Sequence, residues 1–434
     1  MSELREDRQE VGTCVELFAG GGGLAMAVHK AGFRPLLVNE YAKRACRTLE
    51  TNPPESGRPD APWPLISGDV RDIKFTDVVT DEVDVLAGGP PCQPFSLGGA
   101  HKGMEDERNM FPQMFRAIRE LRPKAVICEN VRGLLRPSFK PYFDYILNEM
   151  RLPFAEREEG ATWEEHNELL EKMIANDAVD PSERYVVTEM SVNAADYGVP
   201  QIRQRVVIVA FRADLDVDWE DFKPQQSHSE ESMIHSMREG GPYWRERHKK
   251  VPAEVRKRVI ANLRELDYEN ENVKAKLKLP PWRTLRDAIA GIDENEGKPL
   301  PRVSEEAVKD KLQVGGIEDH IGWPGARTYA GHTPNLLDRP AKTVKAGVHG
   351  VPGGESVMQL DEIDFGGTGY RYMTVRETAR VMTFPDRWIL DGPRGEKMRQ
   401  LGNAVPVKLG EAFAKAVATA LTAVGALEDP EKRK

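Results

Sequence analysis

Apolar residues in the first two hundred positions form short runs that alternate with stretches of helical spacing. Strands are predicted at residues 14–18, 35–39, 83–87, 125–128 and 206–211. Helical patterns are predicted between them, at residues 24–31, 41–50 and 111–121. Strands that alternate with helices predict an α/β fold, built on a doubly wound and mostly parallel sheet.

The pattern changes at several points and predicts the domain boundaries. Residues 153–184 are acidic and polar, with a helical pattern at 163–174, and are expected to form an insertion in a first domain at 1–214. Prolines, charges and scattered tryptophans then predict a second, smaller domain at 215–400. The alanine-rich end, within 401–434, is expected to be a helix that returns to the first domain.

Composition indicates a folded protein, and we expect it in the cytoplasm. The chain has 434 residues, enough for two hydrophobic cores, and 40% of them are hydrophobic and 30% charged. No apolar run is long enough to cross a bilayer, so no membrane contact is expected. The first ten residues are polar and carry acids, unlike a secretory signal.

Charge and cysteine content narrow the candidate chemistry. The net charge of −9 argues mildly against a nucleic-acid binder, although only the docking face of such a protein must be positive. The four cysteines form no C-x-x-C pair and the nine histidines do not cluster with them. We therefore expect neither a metal site nor disulfide bonds.

A glycine-rich turn is the first candidate site. Residues 16–24, E-L-F-A-G-G-G-G-L, lie between a predicted strand and a predicted helix, where glycines let the backbone approach a ligand closely. Glu40 ends the next strand and suits ribose hydroxyls, and Asp69 could accept from an adenine amino group. A structural turn or a dinucleotide site would show the same glycines, so this turn alone selects no cofactor.

A stiff cysteine loop is the most specific feature. Residues 88–96, G-G-P-P-C-Q-P-F-S, follow the strand at 83–87, and Pro90, Pro91 and Pro94 restrict the backbone. Cys92 is thereby placed at the carboxyl end of a parallel strand, where a nucleophile is useful. An inert buried cysteine is the alternative, but a core strand would not accept two prolines directly before it.

Two further charged groups follow later strands. Glu129 comes after the strand at 125–128 and could converge on Cys92, although a helix-capping or surface acid is the alternative. Arg203 and Arg205 alternate in Q-I-R-Q-R, so they are expected on one side of an extended segment. Two guanidinium groups there suit an oxyanion, a base carbonyl or phosphates, and a surface salt-bridge pair is the alternative.

Taken together, these motifs resemble those of the cytosine-5 DNA methyltransferase family, of the bacterial restriction-modification type. In the family's order they stand at residues 18–22, 91–93, 129–131, 201–205, 339–343, 376–382 and 402–406. The resemblance covers residues 15–212 and 337–420 and leaves the middle of the chain uncovered. The acidic stretch at 153–184 is longer than in compact members, which puts only its local geometry in doubt.

The resemblance implies a Rossmann-like methyltransferase domain that uses S-adenosylmethionine, joined to a smaller target-recognition domain. It implies that the cofactor is held by a set of residues from both ends of the chain: Phe18, Gly20, Gly22, Gly23, Leu24, Glu40, Asp69, Val70, Pro91, Asn403 and Val405. It assigns Cys92 as the nucleophile, Glu129 as the group that protonates cytosine N3, and Arg205 as a contact to the base carbonyl. Arg203 is expected to support Arg205.

The implied substrate is a cytosine flipped out of double-stranded DNA and read by the second domain. The candidate DNA contacts are Lys345, His349, Gly353 and Gly354, although His349 could equally be a structural histidine. We expect a monomer, and a cognate restriction endonuclease could be encoded separately.

Three alternatives stay open at this point. A transfer-RNA methyltransferase would carry the same motifs together with a Cys-Phe-Thr signature, but no cysteine follows Cys128. A catalytically silent DNA-binding protein would lack Cys92 or Glu129, and both are present. A nicotinamide-dependent oxidoreductase would explain the glycines but neither the cysteine loop nor the two arginines.

Overall fold

The computed structural model describes residues 10–54, 62–91, 109–176, 179–291, 298–326, 333–346, 356–362, 365 and 367–428. The chain divides into two units. The first unit comprises Met1–Val192, Gln204–Pro224 and Gly410–Lys434, and the second comprises Asn193–Arg203 and Gln225–Leu409. Residues 193–203 therefore group with the second unit, although we expected the first domain to run unbroken to residue 214.

The first unit is built on a seven-stranded sheet in the described part of the chain. Its strands are β1 (Gly12–Leu17), β2 (Phe33–Glu40), β3 (Leu65–Ser67), β4 (Val85–Gly88), β5 (Ala125–Val131), β6 (Tyr185–Asn193) and β7 (Gln204–Arg212). Their order is β3-β2-β1-β4-β5-β7-β6, parallel from β3 to β5, and β7 runs antiparallel to β5. This confirms the predicted α/β class with a mostly parallel sheet.

Helices cover the sheet, and their apolar spacing explains why. They are α1 (Gly23–Lys30), α2 (Lys43–Thr51), α3 (Phe75–Val78), α4 (Phe111–Leu121), α5 (Lys140–Arg151) and α6 (Trp163–Asn176). Helix α4 illustrates the pattern, because Phe111, Met114, Phe115 and Ile118 fall on one face and are all buried. The final helix, α14 (Val407–Ala423), has its residues from Gly410 onward in the first unit.

Strand order fixes where a ligand can bind. Strand β1 has β2 on one side and β4 on the other, so successive connections leave in opposite directions at this point. In an open parallel sheet such a reversal opens a crevice at the carboxyl ends of the strands. The glycine turn after β1, Glu40 at the end of β2 and the loop after β4 all lie at this edge.

The acidic segment expected as an insertion contributes to the core of the first unit. Helix α6 packs on α5 and buries His166 and Leu170. The His166 ring lies with Nε2 2.7 Å from Ala155 O and Nδ1 3.2 Å from the Tyr145 hydroxyl. The helix predicted at 163–174 is thereby confirmed, and its polar face carries the acids.

The second unit contains short helices and a small sheet. Its helices are α7 (Glu230–Met237), α8 (Ala253–Ala261), α9 (Glu271–Lys276), α10 (Leu285–Ala290), α11 (Glu305–Lys309), α12 (Val375–Val381) and α13 (Arg394–Asn403). Strands β8 (Asn335–Leu336), β9 (Val357–Gln359) and β10 (Tyr370–Tyr372) form a sheet in the order β10-β9-β8. Arg286 binds both Asp338 and Asp361 at 2.6–2.7 Å, which fixes α10 against the chain beside this sheet.

Candidate active site

The glycine turn after β1 has a left-handed backbone at three of its positions. Phe18 has φ 59°, Gly20 φ 55° and Gly22 φ 90°, and Gly22 is the N-cap of α1. A Cβ placed on Gly20 would meet no described atom within 4 Å. The turn therefore needs glycine for its conformation and opens onto free space, as a ligand cradle requires.

Glu40 holds this turn against the end of β2. Its Oε2 accepts a hydrogen bond from Gly20 N at 2.7 Å, and its Oε1 accepts one from Ala42 N at 2.7 Å. The side chain is 9% exposed and fixed in orientation. Because a carboxylate oxygen has two acceptor positions, both oxygens can still accept from ligand hydroxyls.

Glu16 is a second carboxylate at this edge, and sequence reasoning assigned it no role. It is the penultimate residue of β1 and is 2% exposed, and its Oε2 has no hydrogen-bond partner among the described residues. Burial raises the pKa of the Glu16 carboxyl well above its ordinary value, and the nearby Glu40 carboxylate adds to the increase in pKa. A backbone hydrogen bond from Ala25 acts in the opposite direction on this pKa. A buried carboxylate with one unpaired oxygen is costly, so a cationic ligand group would be stabilised here.

Tyr41 was also missed by the sequence reasoning, which treated it as the start of a helix. It follows Glu40 directly, precedes α2, and exposes 73% of its surface. An exposed aromatic ring beside Glu40 offers a flat apolar face. The signal in the sequence was the aromatic residue placed directly after the strand-terminal acid.

The other cofactor residues predicted from the first unit differ in exposure. Gly23, Leu24 and Val70 are buried, whereas Pro91 is exposed. Asp69 is bound by the Arg71 side chain, with Nε at 3.0 Å and Nη2 at 2.6 Å, and this hydrogen bonding lowers the pKa of the Asp69 carboxyl. An adenine amino group would therefore have to share Asp69 with Arg71.

The loop after β4 is described up to Pro91, and Cys92 lies outside the described residues. Two contacts tie the loop to the end of β5. Asn130 Nδ2 donates to Pro90 O at 3.0 Å, and a Cβ placed on Gly89 would lie 3.6 Å from Glu129 Oε2. The chain that leads into Cys92 thus runs directly beside the Glu129 carboxylate.

Glu129 and Arg205 form the charged pair of this site. Both lie within strands, since β5 extends to Val131 and β7 begins at Gln204, and the pairing sets Val131 opposite Arg205. Glu129 is 8% exposed and Arg205 9%, and the distance from Arg205 Nε to Glu129 Oε1 is 2.6 Å. A buried glutamate beside a guanidinium can bind a polar heterocycle and, in its carboxylic acid form, donate a proton to it.

Arg203 contacts other groups than Arg205 does. Its side chain is 1% exposed and donates to three backbone carbonyls of the second unit, Val344 O at 2.9 Å, Gly402 O at 2.8 Å and Ala404 O at 3.0 Å. We expected Arg203 to support Arg205, and the described contacts of its terminal nitrogens are to these backbone carbonyls. Arg203 holds backbone segments in place, which is a positioning role.

The remaining predicted residues belong to the second unit or lie outside the described residues. Asn403 ends α13 and is exposed, Val405 is 6% exposed, and Lys345 is exposed. His349, Gly353 and Gly354, named as DNA contacts, fall outside the described residues. The part of the chain that the structure describes holds no group of three metal-ligating side chains, and none of its helices is long and apolar enough to span a bilayer.

The family model and the relatives that match this chain agree with each other. A family model described as C-5 cytosine-specific DNA methylase matches residues 12–152 and 164–419. The chain is 31% identical over 414 residues to the Type II methyltransferase M.Eco47II of Escherichia coli, covering 93% of this chain and 78% of that protein. It is 30% identical over 409 residues to M.NgoMIV of Neisseria gonorrhoeae, covering 94% and 98%.

Solved structures share the fold at low sequence identity. The Dnmt2 methyltransferase of S. pombe superposes with a TM-score of 0.52 at 14% identity, over 96% of this chain and 99% of that one. The methyltransferase EhMeth of Entamoeba histolytica superposes with a TM-score of 0.51 at 14% identity, over 95% and 99%.

Proposed function

Since this chain belongs to the family of C-5 cytosine-specific DNA methylases, we propose that it methylates carbon 5 of cytosine through Cys92, Glu129 and Arg205. It is a DNA (cytosine-5-)-methyltransferase, and its relatives are named Type II methyltransferases, so it acts in restriction-modification. The observation that carries the residue assignment is the Glu129–Arg205 pair beside the loop that leads into Cys92. A cognate endonuclease and a monomeric state remain expectations.

The cradle after β1 fits S-adenosylmethionine as the methyl donor. When bound, this cofactor supplies an electrophilic methyl group on a sulfonium sulfur. The orphaned Oε2 of Glu16 suits a cationic ammonium group, Glu40 keeps acceptor positions for ribose hydroxyls, and the exposed Tyr41 ring suits an adenine face. Leu24, Val70 and Phe18 are the apolar residues of the first unit that we propose for cofactor binding, and Asn403 and Val405 are proposed as further cofactor contacts.

Cytosine carbon 5 is a poor nucleophile, so the enzyme must activate it. The Cys92 thiolate adds to carbon 6 of the ring, and the electron pair of the 5,6 double bond becomes available at carbon 5. Glu129 donates a proton to N3, which neutralises the charge that this addition develops, and Arg205 binds the adjacent base carbonyl. After carbon 5 has been methylated, loss of its proton to solvent expels the Cys92 thiolate and restores the 5,6 double bond, and N3 returns its proton to Glu129.

The substrate base must leave the duplex to reach these residues, at a cost of about a few kcal/mol. Residues of the second unit are proposed to read the surrounding sequence, with Lys345 among the candidate contacts. The net charge of −9 is compatible with DNA binding, because only the docking face must be positive.

Methyl transfer from labelled S-adenosylmethionine tests this function directly. Wild type and Cys92→Ser are incubated with unmethylated duplex DNA and with transfer RNA, and the DNA product is sequenced after bisulfite treatment. We expect 5-methylcytosine in one short DNA motif, no labelling of transfer RNA, and no methylation by Cys92→Ser. Labelling of RNA alone would contradict the DNA substrate, and full activity of Cys92→Ser would contradict the nucleophile.

A further inference from the structure

Three chain segments of the second unit meet around the side chains of Gln201 and Arg203. Residues 200–202 pair with the chain near Ala341, since Ala341 N donates to Pro200 O at 2.9 Å and Ile202 N donates to Ala341 O at 2.8 Å. The third segment is the 402–405 stretch that the proposed function assigns to the cofactor. None of these contacts involves Glu129 or Arg205.

Both polar groups of one peptide residue, Val344, are held by side chains. Gln201 Oε1 accepts from Val344 N at 3.0 Å, and Arg203 Nη1 donates to Val344 O at 2.9 Å. The other terminal nitrogen of Arg203 donates to Gly402 O at 2.8 Å and to Ala404 O at 3.0 Å. One guanidinium therefore joins two backbone segments that are 58 or more residues apart in sequence.

Gly402 shows how closely these two segments approach. A Cβ at this position would lie 2.2 Å from Ala346 N and 2.4 Å from the carbonyl carbon of Lys345. No side chain fits there, so the segments touch backbone to backbone. A shift of residues 344–346 must therefore displace Gly402, and a shift of Gly402 must displace residues 344–346.

We propose that Arg203, assisted by Gln201, is a positioning residue that links cofactor binding to DNA binding. This rests on the proposed function, in which Asn403 and Val405 bind the cofactor and Lys345 contacts DNA. Ordering of the 402–405 segment by one ligand fixes the 344–346 segment for the other, because they share the Arg203 side chain and the Gly402 contact. The linkage is reciprocal, as binding linkage must be.

Arg376 provides a matched control in the same unit. It is also 1% exposed and also donates to three backbone carbonyls, Glu318 O at 3.0 Å, Pro385 O at 3.3 Å and Trp388 O at 3.0 Å. None of those carbonyls belongs to a segment assigned to cofactor or DNA. Arg203→Lys and Arg376→Lys thus remove the same kind of contact, and only the first breaks the proposed linkage.

The test measures the dissociation constant of S-adenosylhomocysteine, which cannot react, with and without cognate duplex DNA. For wild type we expect DNA to tighten this binding at least about fivefold, within the usual range for coupled sites. For Arg203→Lys the ratio should fall to near one, and for Arg376→Lys it should keep the wild-type value although the melting temperature drops. Gln201→Met removes the contact to Val344 N and the 2.9 Å contact from Gln201 Nε2 to Met382 Sδ, but it leaves Arg203 in place. It should give an intermediate ratio, and it serves if Arg203→Lys fails to fold.

Two results would overturn the proposal. One is a wild-type protein in which DNA does not change the affinity for S-adenosylhomocysteine, so that the ratio is near one. The other is a ratio that stays at the wild-type value in Arg203→Lys and Gln201→Met, as it is expected to do in Arg376→Lys. Failure of the proposed function would look different, because wild type would then not methylate duplex DNA at all.

Discussion

Glu16 and Glu129 occupy comparable positions on the same sheet edge, at the ends of β1 and β5, with β4 between them. Both are buried, at 2% and 8% exposure, but their surroundings differ. Glu129 has a cationic neighbour, since Arg205 Nε lies 2.6 Å from its Oε1, whereas the charged neighbour that acts on Glu16 is the Glu40 carboxylate. One oxygen of each acid, Glu129 Oε1 and Glu16 Oε2, makes no aligned hydrogen bond among the described residues.

This difference separates the two halves of the reaction. A buried acid whose charged neighbour is another carboxylate is suited to a ligand that brings its own positive charge, as the methyl donor does. An acid that already has a cationic neighbour is suited to a neutral ring that develops charge only during the reaction. We therefore propose that the sheet edge has a cofactor end at β1 and β2 and a cytosine end at β5 and β7.

The largest expected effect is at the cytosine end. Glu129→Gln keeps the size of the side chain but cannot donate a proton to N3, so kcat should fall by about 10²–10⁴-fold. Steady-state methylation of duplex DNA measures this, with cofactor affinity within twofold of wild type as the control. A variant that kept wild-type kcat would assign the proton to another group.

Arg205→Lys should have the next largest effect. A lysine cannot reproduce the planar guanidinium beside Glu129, and loss of one preorganised donor costs about 10²-fold in kcat. Arg205→Lys should lower kcat much less when it is added to Glu129→Gln than when it is added to wild type, because the two side chains act as one unit. Fully additive losses would show that the two groups act independently.

Glu40→Gln tests the cofactor end. Its carboxylate accepts from Gly20 N and Ala42 N, and a glutamine can accept at only one of its two terminal atoms. We expect the KM for S-adenosylmethionine to rise about tenfold, the cost of losing one hydrogen bond to a charged group, with kcat nearly unchanged. A fall in kcat at an unchanged KM would remove Glu40 from cofactor binding.

The smallest effect concerns stability and pH. Burial raises the pKa of Glu16 in the folded chain. In the unfolded chain this carboxyl has the ordinary glutamate pKa of about 4.3, so above that pH the unfolded chain has lost a proton that the folded chain still holds. The free energy of unfolding therefore falls as the pH rises from that value to the folded pKa. Glu16→Gln should lack this decline, and its ligand-free melting temperature should exceed that of wild type by about a few degrees at high pH.

An exposed glutamate provides the control for this pH experiment. Glu164 lies on the solvent side of α6, and Glu164→Gln should follow the wild-type melting curve at every pH. If Glu16→Gln also followed the wild-type melting curve at every pH, burial would not raise the pKa of Glu16 in the ligand-free protein.

Much of the sheet could be predicted from the sequence, because its parallel strands are short apolar runs. The helix at 111–121 coincides with α4, and the strands at 14–18 and 35–39 lie close to β1 and β2. Strand β6 was missed because it mixes buried and exposed positions without clean alternation. Within the second unit the pattern carried no period, so its short helices could not be predicted.

The candidate site was only partly readable for a different reason. Glu40 and Glu129 stand at strand ends, which sequence patterns reveal, and the structure describes both at the expected sheet edge. The unpartnered oxygen of Glu16 depends on burial that the sequence does not show. The partners of Arg203 come from Val344, Gly402 and Ala404, which are far away along the chain, so alternation within Q-I-R-Q-R could not separate it from Arg205.

The most direct test of the two-ended sheet edge compares Glu16→Gln with Glu129→Gln in the same two assays. One assay is the dissociation constant for S-adenosylmethionine, and the other is the single-turnover rate of methyl transfer to duplex DNA at saturating cofactor. We expect a crossed result, in which Glu16→Gln weakens cofactor binding about tenfold but keeps the rate, and Glu129→Gln keeps the affinity but loses the rate. Equal losses of both quantities in both variants would contradict it.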